Sequence, residues 1–340
     1  MNKKLVIFCI VVMLSMFLII GAQAAPKTVL RVTTWGGMYQ ECYEDTIDSF
    51  EKENNVQVEW VLGTYADWMA KARAGELDVV TNNFLYSVMG EKEGLWAELD
   101  ETKIPNMANL YDRAKSSKYT VWSNIGDYVI AYNSKHIKTA PTSWDDLWDP
   151  AYKNRVVIRN FLNTGLLCLI VQQAEQRGGG IKNIDPGLNR LLELYNSGNV
   201  IAMAQSDAEQ QSLLQLEEAW IGLVCNGRVI DLQKKGFDFI KIARPKEGTY
   251  AMISALNVPK ASKQQDLAMK FVNHVLSPKV QEVFAERTFY APVVNNAKVS
   301  PEVEDLLVGE EVIAKMYIPD FVAINEVMAE WAERWDRLIH

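Results

Sequence analysis

The stretch from Val29 to Tyr43, VLRVTTWGGMYQECY, leaves few ways to fold. Leu30, Val32 and Thr34 alternate as a short strand requires, and Trp35-Gly36-Gly37 then interrupts both regular periods, because paired glycines cost backbone entropy in either. Tyr39, Tyr43, Ile47 and Phe50 fall on one stripe of a following helix. The reading is strand, loop, helix. Glycines in such a loop let backbone amides approach a ligand beside the positive end of the helix, and Trp35 offers an apolar face with an N–H donor. A tight turn over a core tryptophan is the alternative.

The same alternation continues along the chain. Val56 to Leu62 reads as a strand, a helix around Asp67 to Ala74 ends at Gly75, and Leu77 to Thr81 reads as a buried parallel strand that exits into Asn82-Asn83. Further strands are expected at Tyr128 to Asn133, Arg155 to Arg159, Val200 to Ala204, Trp220 to Val224, Phe237 to Ala243 and Ile253 to Val258. Ser143 reads as the cap of a helix with acids in its first turn, and helices are expected from Leu162 and from Asp207. After Lys263 the pattern is helical, closing with an amphipathic Phe321 to Leu338 that suits a packing strap. This is an α/β chain. In open parallel sheets ligands sit outside the carboxyl ends of the strands, so the exits at Thr34, Leu62 and Thr81 should line a cleft.

Residues 1–24 carry a basic start, an apolar run from Leu5 to Ile20 and Ala22 with Ala24, which together predict an export signal cut after Ala24. An uncleaved membrane anchor is the competing reading. Cleavage leaves 316 of the 340 residues and, with Lys3 and Lys4 lost, moves the formal charge from -8 to -10. A chain of that length exceeds what one core usually serves, so two domains are expected. Its acidity excludes a nucleic-acid partner, which needs clustered Lys and Arg. Cys42, Cys168 and Cys225 form no C-x-x-C and read as buried free thiols, and three scattered histidines do not build a metal site. No cofactor loop or nucleophile motif is present.

Five segments carry a resemblance: TWGGMY, SWDDLWDPAYKNRV (Ser143 to Val156), CNGR (Cys225 to Arg228), RPKEG (Arg244 to Gly248) and ALNVPKAS (Ala255 to Ser262). Together they resemble the extracellular solute-binding proteins of ABC importers, in the branch that holds spermidine/putrescine-binding proteins. The resemblance implies a type II periplasmic binding fold of two α/β lobes on a multi-strand hinge near Ala131 to Asn133 and Ser254 to Asn257. Lobe 1 would take residues 25–131 and 257–300, lobe 2 residues 132–256, and residues 301–340 would be helices packed across both. It also implies a periplasmic monomer, a small-molecule ligand, an ABC permease partner in the inner membrane and no enzymatic activity.

The pocket departs from the polyamine pattern. Where polyamine binders of this family hold acids and aromatics, this chain has Asn160, Thr164, Cys225, Met252 and Ser254, with Asp127 as the remaining acid. Arg159 and Arg228 instead stand at strand exits beside helix starts, a good setting for a carboxylate or phosphonate. The expected site is Trp35, Gly37, Tyr39 and Tyr65 for apolar packing and backbone contact, Asn82, Asn160, Ser206 and Ser254 for hydrogen bonds, and Arg159 with Arg228 for an anion or zwitterion. A polyamine held by Trp35, Asp127 and carboxylates such as Glu209 is the alternative within the class. An exported enzyme on the same scaffold, or a surface adhesin, stands outside it.

Overall fold

The computed structural model describes residues 27–339, so the expected signal at residues 1–24 lies outside the described residues. Strand β1 (Thr28–Thr33) leads through Trp35-Gly36 into α1 (Gly37–Asn54), whose buried face carries Tyr39, Tyr43, Ile47 and Phe50. Strand β2 (Val56–Val61) pairs parallel with β1 from Thr28 opposite Val56 to Thr33 opposite Val61. Helix α2 (Tyr65–Ala74), capped by Thr64 and closed by a left-handed Gly75, leads to β3 (Val80–Asn83) and α3 (Phe84–Lys92).

Two expectations need correction here. The strand expected as parallel at Leu77 to Thr81 meets β1 through a single parallel bridge, Val32 to Val79, and its ladder is antiparallel to a strand late in the chain. An unbroken apolar run does not encode the direction of its neighbour. The strand expected at Tyr128 to Asn133 is only the second half of β4 (Val121–Asn133), almost wholly buried along its length.

The chain continues through β5 (Val156–Arg159), α4 (Thr164–Glu175), α5 (Asp185–Asn196), β6 (Val200–Ala204), α6 (Asp207–Gln215), β7 (Ile221–Cys225), α7 (Asn226–Lys234), β8 (Ile240–Ala243) and β9 (Tyr250–Asn257). The helix expected at Ser143 is a 3₁₀ turn, Trp144–Trp148, with the cap formed as read: Ser143 Oγ accepts from Asp145 N, and Asp146 accepts from Ser143 N. Asp149-Pro150 follows at once and stops the turn from lengthening. The remaining helices are α8 (Gln265–Val275), α9 (Pro278–Thr288), the short α10 (Pro301–Glu304) and α11 (Glu310–Lys315), and the long α12 (Phe321–Ile339). Among the described residues no helix is long and apolar enough to cross a membrane.

A seven-stranded sheet runs in the order β3-β9-β4-β7-β5-β6, with β8 also on β4. Strands β5, β6 and β7 run parallel, whereas β4 and β9 pair antiparallel to each other and carry the chain between two hydrophobic cores. The first core includes Leu30, Tyr43, Phe50, Val121, Ile125, Ile253, Leu256, Phe271 and Phe284. The second includes Tyr128, Ile130, Ile158, Leu167, Leu223, Tyr250, Met252, Trp331 and Trp335. Strand β4 leaves one core and enters the other between Ile125 and Tyr128.

Candidate functional site

The end of β3 meets the helix that follows β5: Thr164 Oγ1, at the start of α4, donates to Asn83 Oδ1 at 3.1 Å. At the end of β1, Gly36 takes φ 73°, a left-handed conformation that costs other residues about a kcal/mol or more, and it leaves the first turn of α1 without a side-chain cap. Gly37, with φ 54°, opens the helix. Trp35, 36% exposed, meets Tyr39 edge-on at 4.7 Å and donates from Nε1 to the Tyr65 hydroxyl at 3.2 Å. Tyr65 in turn stacks on Tyr86 at 4.1 Å. Behind them Asn124 Nδ2 donates to the Tyr39 hydroxyl at 2.8 Å, and burial raises that hydroxyl's pKa while Ser254 and Ser123 beside it lower it.

At the exits of β5 and β7 stands an ionic cluster. Arg159 Nη1 pairs with Asp207 and its Nη2 donates to the Gln205 carbonyl at 3.1 Å. Arg228 Nε donates to the other Asp207 oxygen at 3.3 Å, and no protein partner for its two Nη groups exists among the described residues. Two guanidiniums thus share one carboxylate, a local charge of +1. Burial pushes the Tyr65 hydroxyl's pKa up and its bond to Trp35 opposes this. Burial raises the pKa of Tyr290, whose ring lies against Gly126 and against Gly227, the residue before Arg228. A Cβ on Gly126 would come within 2.6 Å of Asn226 Oδ1 and 2.7 Å of the Tyr290 ring, so that glycine is what lets the ring lie against β4.

Trp35, Tyr39 and Tyr65 therefore form one group, with Ser254 beside Tyr39 and Gly37 opening its helix, and Arg159 and Arg228 form a second that meets at Asp207. Asn82, 1% exposed on β3, has no partner for either amide atom. Other expected residues are occupied. Asn160 Nδ2 donates to Gln205 Oε1, and Ser206 Oγ caps α6 by accepting from Glu209 N. Glu209 accepts from Gln205 N at 2.7 Å. Asp127 is fully buried and its carboxylate takes Arg244 Nε at 3.0 Å. Asp207, Tyr86 and Tyr290 were not expected. An acid in the first turn after a strand exit was a signal for Asp207 as the partner of two exit arginines; Tyr290, in a loop beyond α9, carried none.

Burial pushes the Cys225 thiol up to about 12, so it stays protonated. Among the described residues no group of three or more His, Cys, Asp or Glu side chains converges as a metal would require. Paired guanidiniums can receive an anion, and aromatic faces such as those of Trp35 and Tyr65 can pack an apolar stem. A polar surface hollow of about 640 Å³ beside Glu53, Asn54, Ser262 to Leu267 and Lys270 contains none of the site residues.

Two α/β bodies joined by β4 and β9 define a two-lobed binding protein of the periplasmic type. The chain matches the bacterial extracellular solute-binding protein family over residues 77–307 and belongs to it. It is 29% identical to spermidine/putrescine-binding periplasmic protein 1 of Haemophilus influenzae over 77% of this chain and 74% of that one. It is 27% identical to the gamma-aminobutyric acid-binding protein of Pseudomonas aeruginosa over 80% of this chain and 79% of the relative. The solved structure of an ABC transporter protein from Clostridium perfringens, 25% identical, superposes with a TM-score of 0.77 over 92% of this chain and all of that one. Proteins of this class bind a small solute and present it to a membrane permease.

Proposed function

We propose that this chain is the periplasmic, non-enzymatic solute-binding component of an ABC importer, cleaved after Ala24, and that its solute carries a carboxylate or phosphonate head on a short stem. The observation that carries this is Arg228, held through Nε by Asp207 with both Nη groups left over, beside Arg159 and at the start of α7. A guanidinium fixed by one nitrogen and open along its outer edge suits a bidentate oxyanion. The anion would close the two lobes by touching both, and the cores support a lobe change within β4 between Ile125 and Tyr128, earlier than the 131/132 boundary read from sequence.

A zwitterion such as a ω-amino acid fits the same geometry, its ammonium lying on the Trp35 face. The gamma-aminobutyric acid-binding relative supports that variant. A polyamine, suggested by the spermidine/putrescine-binding relatives, would bring two or more positive charges to a cluster already at +1, with Asp127 committed to Arg244. Isothermal titration of the mature chain against 4-aminobutyrate, 2-aminoethylphosphonate, glutarate, putrescine and spermidine decides between them. One-to-one heat with an oxyanion and none with either polyamine is expected; binding of polyamines alone overturns the proposal.

A further inference from the structure

The residue that follows each of two strand exits is aromatic, and both lean on the same helix. Phe84 comes directly after Asn82-Asn83 at the end of β3, and Phe321 meets it edge-on at 6.0 Å. Phe161 comes directly after Arg159-Asn160 at the end of β5, and Trp335 lies nearly parallel to it at 5.8 Å. Phe321 and Trp335 are the two ends of the buried face of α12, which also carries Ile324 and Trp331. Polar contacts repeat the division. Asn325 Nδ2 donates to the Leu85 carbonyl at 3.0 Å and Glu326 pairs with Lys92 on α3, whereas Arg334 pairs with Asp185 on α5 and Tyr195 of α5 meets Trp335 edge-on at 5.8 Å. Between the two anchor points the walls touch, Thr164 Oγ1 donating to Asn83 Oδ1 at 3.1 Å.

We infer that α12 is a positioning element of the binding cleft, with Phe321 and Trp335 as its working residues. A helix does not shorten, and at about 1.5 Å per residue the fourteen steps between these two residues keep their backbones on the order of 21 Å apart, so Phe84 and Phe161 lean on points fixed relative to each other. Strands β4 and β9 tie the lobes at one place and α12 ties them at another, so the lobes can turn about the line through those ties but cannot slide or twist freely. The strand ends bearing Trp35 and Arg228, which none of these α12 contacts involves, are left to swing. Trp335 thereby sets where Arg159 stands through Phe161, without contacting ligand.

The test needs no ligand and so does not depend on the solute proposed above. Cys42, Cys168 and Cys225 are buried, so spin labels on Lys52→Cys in α1 and Lys234→Cys in α7, both exposed, report the interlobe distance by double electron–electron resonance on the mature chain. Trp335→Leu and, separately, Phe321→Leu are expected to broaden that distance distribution, and Trp335→Phe to restore the parent's. Each end of the helix tests the proposal by itself, so a variant that fails to fold leaves the other to decide. Lower melting temperatures with an unchanged distribution would mean that α12 only adds stability, and would overturn the inference.

Discussion

Arg228 shows how one side chain is divided between structure and recognition. Its Nε is fixed by Asp207 and its outer edge is left to a ligand, so Arg228→Gln should keep the fold while removing a charge-assisted contact worth about 1.5–3 kcal/mol. That is a loss of roughly tenfold to a hundredfold or more in the Kd of whichever oxyanion binds, read by titration, at unchanged melting temperature. A different residue is expected to weaken the fold in acid. Burial, helped by Lys279, lowers His274 to about 4, with Phe50 and Phe271 packed beside its ring. Its ordinary value is 6.5, so between 6.5 and 4 the unfolded chain binds a proton that the folded chain refuses. Stability should therefore fall as pH drops through that window, by up to about 3 kcal/mol, and level off below it. Urea midpoints against pH measure this, and His274→Gln should flatten the slope.

At the scale of elements, α4 begins at the second lobe's rim with Asn163, whose Oδ1 accepts from Gly165 N at 3.0 Å and from Leu166 N at 3.3 Å. Asn163→Ala should cost about 1 kcal/mol in urea unfolding. A cost near zero would show that water replaces the cap. The elements also show what a sequence carries and what it withholds. Strand β1 and helix α1 are legible because Leu30 and Val32 keep period two and Tyr39, Tyr43, Ile47 and Phe50 keep the helical stripe, each facing one core. The first half of β4 is not, because Ser123, Asn124 and Gly126 serve the seam, where Asn124 reaches Tyr39 and Gly126 yields to Tyr290. Neighbour direction is equally silent, as β3 shows. In the site, Trp35, Arg159 and Arg228 stand out as unusual residues at strand exits. Asp207 joins Arg159 only across 48 positions of chain, a pairing no local pattern records.

For the whole molecule, closure about β4, β9 and α12 predicts a more compact particle when the cleft is filled. Small-angle scattering should show a smaller radius of gyration on adding a compound that titrates, and at a hundred times its Kd the native state should gain about 2.7 kcal/mol. A curve unmoved by a saturating binder would place recognition on a rigid surface. The route of the chain between the cores has a temporal consequence as well. The first core draws its residues from both sides of the second, Leu30 to Ile125 and then Ala251 to Met316. A polypeptide growing from its amino end therefore holds β3 long before its antiparallel neighbour β9 exists, and Tyr43 long before Phe271 and Phe284 can cover it. Such distant partners slow folding. The half of the protein that is made earliest should be the last to become complete, exposing apolar surface to chaperones throughout synthesis.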